Sequence, residues 1–65
     1  MYWRVVFDYG NRREYLPVHS SEFAATLIAK NKKALAAHLG DRITISVEKV
    51  RIINNVIITI STTYI

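Results

Sequence analysis

Ser20–Leu39 reads SSEFAATLIAKNKKALAAHL, and the fold turns on whether this stretch is one helix laid on a sheet. At 100° per residue, Phe23, Ala24, Leu27, Ile28, Ala34, Leu35 and Leu39 fall within an arc of about 160°, the spacing of an amphipathic helix. That arc is the expected sheet-facing side. Thr26, Lys30, Lys33 and the small alanines lie opposite, with Lys32 at the boundary, so the outer side is expected to meet water or an anionic partner. Ser20 or Ser21 can cap the N-terminus, Glu22 suits the positive end of the dipole, and His38 suits the negative end. Gly40 stands where a left-handed C-cap is expected. Asn31 and His38 interrupt the arc, so either the helix bends or that strip lies beyond the sheet.

The flanks read as strands. Tyr2–Tyr9 alternates, with Trp3, Val5, Phe7 and Tyr9 on one side and Tyr2, Arg4, Val6 and Asp8 on the other. Gly10 and Asn11 tolerate the positive φ of a tight turn, which predicts a second, antiparallel strand over 13–18. Pro17 lacks an N–H, so this strand belongs at an edge. After the helix, Ile43, Ile45 and Val47 point inward, Asn54-Asn55 is a two-residue turn, and Val56–Ile65 is a final strand. A regular register through that turn puts Lys49 and Arg51 inward and Val50, Ile52 and Ile57 outward. Either a β-bulge corrects the pattern or the hairpin projects past the helix with an apolar outer surface. The expected architecture is α+β, a single domain over residues 1–65 in the order β-β-α-β-β, with a four-stranded antiparallel sheet and one helix packed across one face.

Sixty-five residues bury only ~60% of their unfolded surface, which leaves a thin core. With no cysteine, no disulfide or thiolate site can reinforce it. The uncharged, β-rich run Val56–Ile65 would be an aggregation hazard as an open edge, so it is expected either inside the sheet or paired with a second copy. A homodimer is therefore expected, with Ile52, Ile57, Tyr64 and Ile65 at the interface. Nothing resembles a membrane span or a secretory signal, so the expected location is the cytoplasm.

Nine Lys and Arg against five Asp and Glu give a net charge of +4, which favours an acidic protein surface, a nucleoprotein complex or nucleic acid. The candidate partner- or phosphate-binding residues form three groups: Arg12 and Arg13 at the first turn, Lys30, Lys32 and Lys33 in the helix, and Lys49 and Arg51 near the second turn. Each group serves equally as a solvated charged surface. The outward sheet face is expected to carry Arg4, Asp8, Thr44, Ser46, Glu48, Thr59, Ser61 and Thr63, with Tyr2 its only ring, which is a poor stacking platform for bases. Trp3, Phe7, Tyr9 and Phe23 read as core.

The carboxylates show no paired catalytic spacing. His19 with Glu22 is the only close pair of metal-ligand types, so no metal and no cofactor are expected. Gly10 and Gly40 are the only glycines, too few for a phosphate-cradling loop. Short, cysteine-free α+β chains of this character are typical of phages and mobile elements. The expected function is a non-catalytic binding protein that docks onto and inhibits a host nucleic-acid-processing or defence complex, as an anti-CRISPR inhibitor does. Second comes a DNA- or RNA-binding regulator contacting phosphates. Third is a toxin-type ribonuclease with His19 as acid or base, Glu14 or Glu22 beside it, and Arg12 or Arg13 on the phosphate.

Overall fold

A computed structural model describes residues 1–65. Strands β1 (Tyr2–Asp8) and β2 (Arg13–Tyr15) precede helix α1 (Glu22–Leu39), and β3 (Thr44–Ile53) and β4 (Val56–Tyr64) follow it. One antiparallel sheet forms in the order β2-β1-β3-β4. The expected α+β class, element order and four-stranded sheet are those of the molecule.

Local chemistry accounts for the turns and caps. Ser21 Oγ accepts from Ala24 N at 3.2 Å, covering one of the N–H groups that the first turn leaves open. Gly40, at φ 74°, closes the other end, with its N–H bonded to Ala37 O and Asp41 N–H to Ala36 O. Asn54 and Asn55 take φ of 51° and 64°, the paired positive values of a type I′ hairpin turn. The first turn is held by Asp8, whose carboxylate accepts from Gly10 N at 2.8 Å. Strand β2 is shorter than the predicted 13–18. Pro17 stops the ladder, and pairing resumes only as a single bridge between His19 and Trp3.

The helix lies on the sheet, but not by its large apolar residues. Ala25, Ala29 and Ala36 are buried, whereas Phe23 is 78% exposed and Leu27, Leu35 and Leu39 are about half exposed or more. The predicted inward arc is thus rotated away from the sheet by roughly 140° on the helical wheel. Phe23, expected in the core, is its most exposed large side chain. The reason lies in what the sheet offers. Val5, Phe7, Ile45 and Val47 already fill the layer beneath the helix, and small side chains opposite bulky ones let the two elements approach closely. Ile28 completes this layer from the flank, and Lys32 reaches the Phe7 ring at 5.1 Å.

Helix α1 packs on β1 and β3 and touches neither β2 nor β4. The two alternatives raised for the second hairpin both occur. The register shifts between Lys49 and Val50, whose partners are Ser61 and Thr59, so the extra residue is Ile60 on β4. Val47 consequently sits opposite Thr63 and Ser46 opposite Tyr64. Ser61 and Thr63, expected outward, therefore lie on the helix side. The hairpin also projects past the helix, in a molecule measuring 39 × 26 × 16 Å.

The helix-free face has its own buried layer. Val6, Ser46, Glu48 and Val50 are all buried there, although no element covers them. They sit on the two inner strands, screened by neighbours. Arg4 lies 4.3 Å over the Tyr15 ring and donates from Nε to Glu48 Oε1 at 2.7 Å. The Thr59 hydroxyl donates to the same carboxylate oxygen at 3.4 Å.

Candidate functional site

Three surfaces carry the residues singled out above. The first is the outer face of α1, where Phe23, Leu27 and Leu35 are exposed beside Lys30, Asn31 and His38. Phe23 and Leu27 stand one turn apart and Leu35 two turns further on, with Asn31 between them, so the outside of this 18-residue helix carries an interrupted apolar strip of the kind a groove on another protein can take. The periodicity found this row; what periodicity alone could not assign was the side facing out.

The second surface is the distal half of the β3–β4 hairpin. Ile52 and Ile57 form a cross-strand pair on the helix-free side, at 39% and 41% exposure, and Ile53, Val56 and Ile58 are similarly open on the other side. Tyr64 is exposed at the opposite end of β4. Ile65, expected beside it at an interface, instead continues the pairing with β3 and turns its side chain to the core on the helix side. It is half-buried against the core, with its N–H on Ile45 O at 2.9 Å.

The third surface is a trough where α1 stops short of β4, lined by Trp3, Glu22, Thr26, Lys30, Lys49 and Ser61. Its volume of about 490 Å³ falls within the ~300–1,000 Å³ of ligand pockets. Only three of its nine lining residues are apolar, so it is a polar channel and not a hydrophobic ligand cavity. Lys30 and Lys49 are the two candidate cations that the fold brings together.

The other cations are dispersed or already engaged. Arg13 Nη1 donates to the Tyr15 hydroxyl at 3.5 Å, and its Nε donates to Asp8 at 3.1 Å. Those two partners hold its pKa above the ordinary arginine value. In return the Asp8 carboxyl is held below its usual range, first by the Gly10 N–H and then by Arg13. Arg12 stacks 4.3 Å over Tyr9 and lies 3.8 Å from Glu14. Lys33 lines a small cleft with Ile43 and Ile45, and Arg51 stands on the projecting hairpin. From Thr44, opposite Asp8 beside the first turn, to Lys49 is about 17 Å along β3, so the Arg12-Arg13 and Lys30-Lys49 groups do not form one cluster. Arg42, outside the three expected groups of cations, lines a cleft with Asp8 and Gly10, close to the turn arginines.

Tyr15 and Tyr64 share one cross-strand row on the helix-free face, Tyr15–Val6–Ser46–Tyr64, with Tyr2 two positions along β1 from Arg4. That face therefore carries three rings where one was expected. Its cations Arg4 and Arg13 are both paired with carboxylates, which leaves the rings without the free positive charge that tracks a nucleic-acid backbone. His19 is fixed through its backbone, bonded to Trp3 in both directions at 2.7 and 2.8 Å. No three His, Asp or Glu side chains gather as a metal cage would require, and no helix is long and apolar enough to cross a membrane. In comparisons with known proteins, no family model, curated protein or solved structure matches the chain.

Proposed function

We propose that the protein is a non-catalytic binding protein that occupies a surface on a larger protein or nucleoprotein and so inhibits a host nucleic-acid-processing or defence complex, in the cytoplasm of the host of a phage or mobile element. The observation that supports this reading is the outward row Phe23, Leu27 and Leu35 with Lys30 at its border. Burying such side chains is worth ~1.5–3 kcal/mol each, so a groove that takes them gains most of its affinity from this strip. The basic border and the net charge of +4 select an apolar groove with an acidic rim. Wild type and a Phe23→Ser, Leu27→Ser variant, each immobilised in host extract, test the reading. A nucleic-acid-processing complex retained by wild type and lost by the variant is the expected result. Equal retention of the same proteins by both would overturn it.

A second reading, phosphate contact by a nucleic-acid-binding regulator, draws on the convergence of Lys30 and Lys49 beside Thr26 and Ser61 in the trough. Two lysine–phosphate contacts give a log–log salt slope of about −2. A gel shift at about 50 mM salt that disappears near 200 mM, and is lost in Lys30→Gln with Lys49→Gln, would favour it over protein docking.

A further inference from the structure

From the open edge of the sheet we infer that a second copy of this chain pairs with β4, antiparallel about a two-fold axis, joining the two four-stranded sheets into one continuous sheet. The inference does not depend on what the helix face binds. Strand β4 is the one long edge: nine residues, every one exposed, carrying backbone donors and acceptors that no other element covers. Strand β2, the opposite edge, has three residues and is followed by Pro17, so it offers almost no ladder.

Charge selects the occupant. Two copies of a +4 chain repel one another over most of their surfaces, and Lys30, Lys32 and Lys33 make the helix a poor place for them to meet. From Val56 to Ile65 there is no charged side chain at all, so β4 is the edge along which like copies can approach. Antiparallel pairing about a two-fold axis also makes the strand its own complement.

The area is sufficient. On β4 itself, Val56, Ile57, Ile58, Ile60 and Tyr64 are each 41–67% exposed. If the nine residues of β4 each lose roughly 55 Å² of backbone and flanking side-chain surface, a copy buries on the order of 500 Å² and the pair about 1,000 Å², the threshold for a specific interface. The monomer exposes 4611 Å², against about 4,200 Å² for a compact protein of its 7.5 kDa. Its radius of gyration of 11.9 Å exceeds the ~10.7 Å expected for this length. The projecting hairpin is the source of both excesses.

Sedimentation of the full chain at micromolar concentration should give twice 7.5 kDa. Hydrogen exchange of the unmodified protein should show β4 amides whose protection rises with concentration while those of β2 do not change. Ile58→Lys and Ile60→Lys should each give a folded monomer by circular dichroism, whereas Leu27→Lys should remain a dimer. A 7.5 kDa species at high micromolar concentration, β4 protection independent of concentration, or a dimer broken by Leu27→Lys but not by Ile58→Lys would overturn the proposal. Since the exchange measurement needs no substitution, it decides the matter even if the lysine variants fail to fold. Loss of host-complex capture in the Phe23→Ser, Leu27→Ser variant with the dimer intact separates this surface from the docking face.

Discussion

Within one hairpin, Ile45, Val47 and Val50 are at most 5% exposed, whereas Ile53, Val56 and Ile58 are 45–59% exposed. The residue types match, the strands are continuous, and the turn is regular. What changes is the neighbourhood: the first group lies between β1 and β4, with Ile45 and Val47 under α1 and Val50 on the helix-free face, and the second lies past the end of both β1 and the helix. A β-branched run therefore states that a strand forms and leaves open whether anything will cover it. The same contrast holds around the helix, where Ala25, Ala29 and Ala36 are buried and Leu27, Leu35 and Leu39 are open.

Removing the charge that balances the buried carboxylate should have the largest effect. Arg4 and Glu48 are 16% and 9% exposed in their side chains, and Arg4→Ala strands the carboxylate on an inner strand. A loss of about 3 kcal/mol is expected, a large part of the roughly 3–10 kcal/mol total for 65 residues. Arg4→Met together with Glu48→Met should recover nearly all of it in urea denaturation at fixed protein concentration. A small effect of Arg4→Ala alone would show that the helix-free face is not a true second layer.

Next comes the helix, where the two faces should respond in opposite senses. Ala29→Leu forces a large side chain between α1 and the sheet and should cost about 2–3 kcal/mol. Leu27→Ser, on the open face, should stay within about 0.5 kcal/mol for the monomer. A reversed order, with Leu27→Ser the costlier of the two, would mean that the helix sits in the rotation predicted from its apolar arc.

The hairpin supplies the direct comparison. Val47→Ala should cost about 2 kcal/mol through lost burial and a residual cavity, while Ile53→Ala should cost no more than about 0.5 kcal/mol in a monomeric background. A loss for Ile58→Ala, on β4, that grows with protein concentration would be the signature of the paired β4 edge.

The smallest expected effect is acid sensitivity at the first turn. The Asp8 carboxyl titrates lower when folded than when unfolded, so its contribution is fully present above the unfolded value near pH 3.9 and fades as pH falls through the folded one. Asp8→Asn should flatten the stability profile below about pH 4 and leave it unchanged in slope at neutral pH. An unaltered acid limb would show that the Gly10 N–H and Arg13 contacts do not persist in solution.

Much of the frame was legible residue by residue. Gly10, Asn54-Asn55, Ser21 and Gly40 mark turns and caps through backbone geometry that few other residues supply, and Pro17 marks an edge because it lacks a donor. The candidate cations were legible as residues but not as groups. Arg12 and Arg13 are engaged by Glu14 and Tyr15, each two residues further along the chain, and by Tyr9 and Asp8 across the first turn, where the β1–β2 register brings them, while Lys30 and Lys49 share a trough only because the helix lies over β3. Tyr15 and Tyr64 could not be placed on one face without the register that the Ile60 bulge imposes.

The sequence by itself determined five elements, their order and the caps and turns at Ser21, Gly40, Gly10 and Asn54-Asn55, since these follow from hydrogen bonding and backbone strain within a few residues. Only the tertiary structure decided the roll of the helix, the edge position of β4 and the reach of the second hairpin. Those are outcomes of packing between distant surfaces: a sheet layer already full of valine, isoleucine and phenylalanine admits the alanine side of the helix, and the larger side chains are left to face outward.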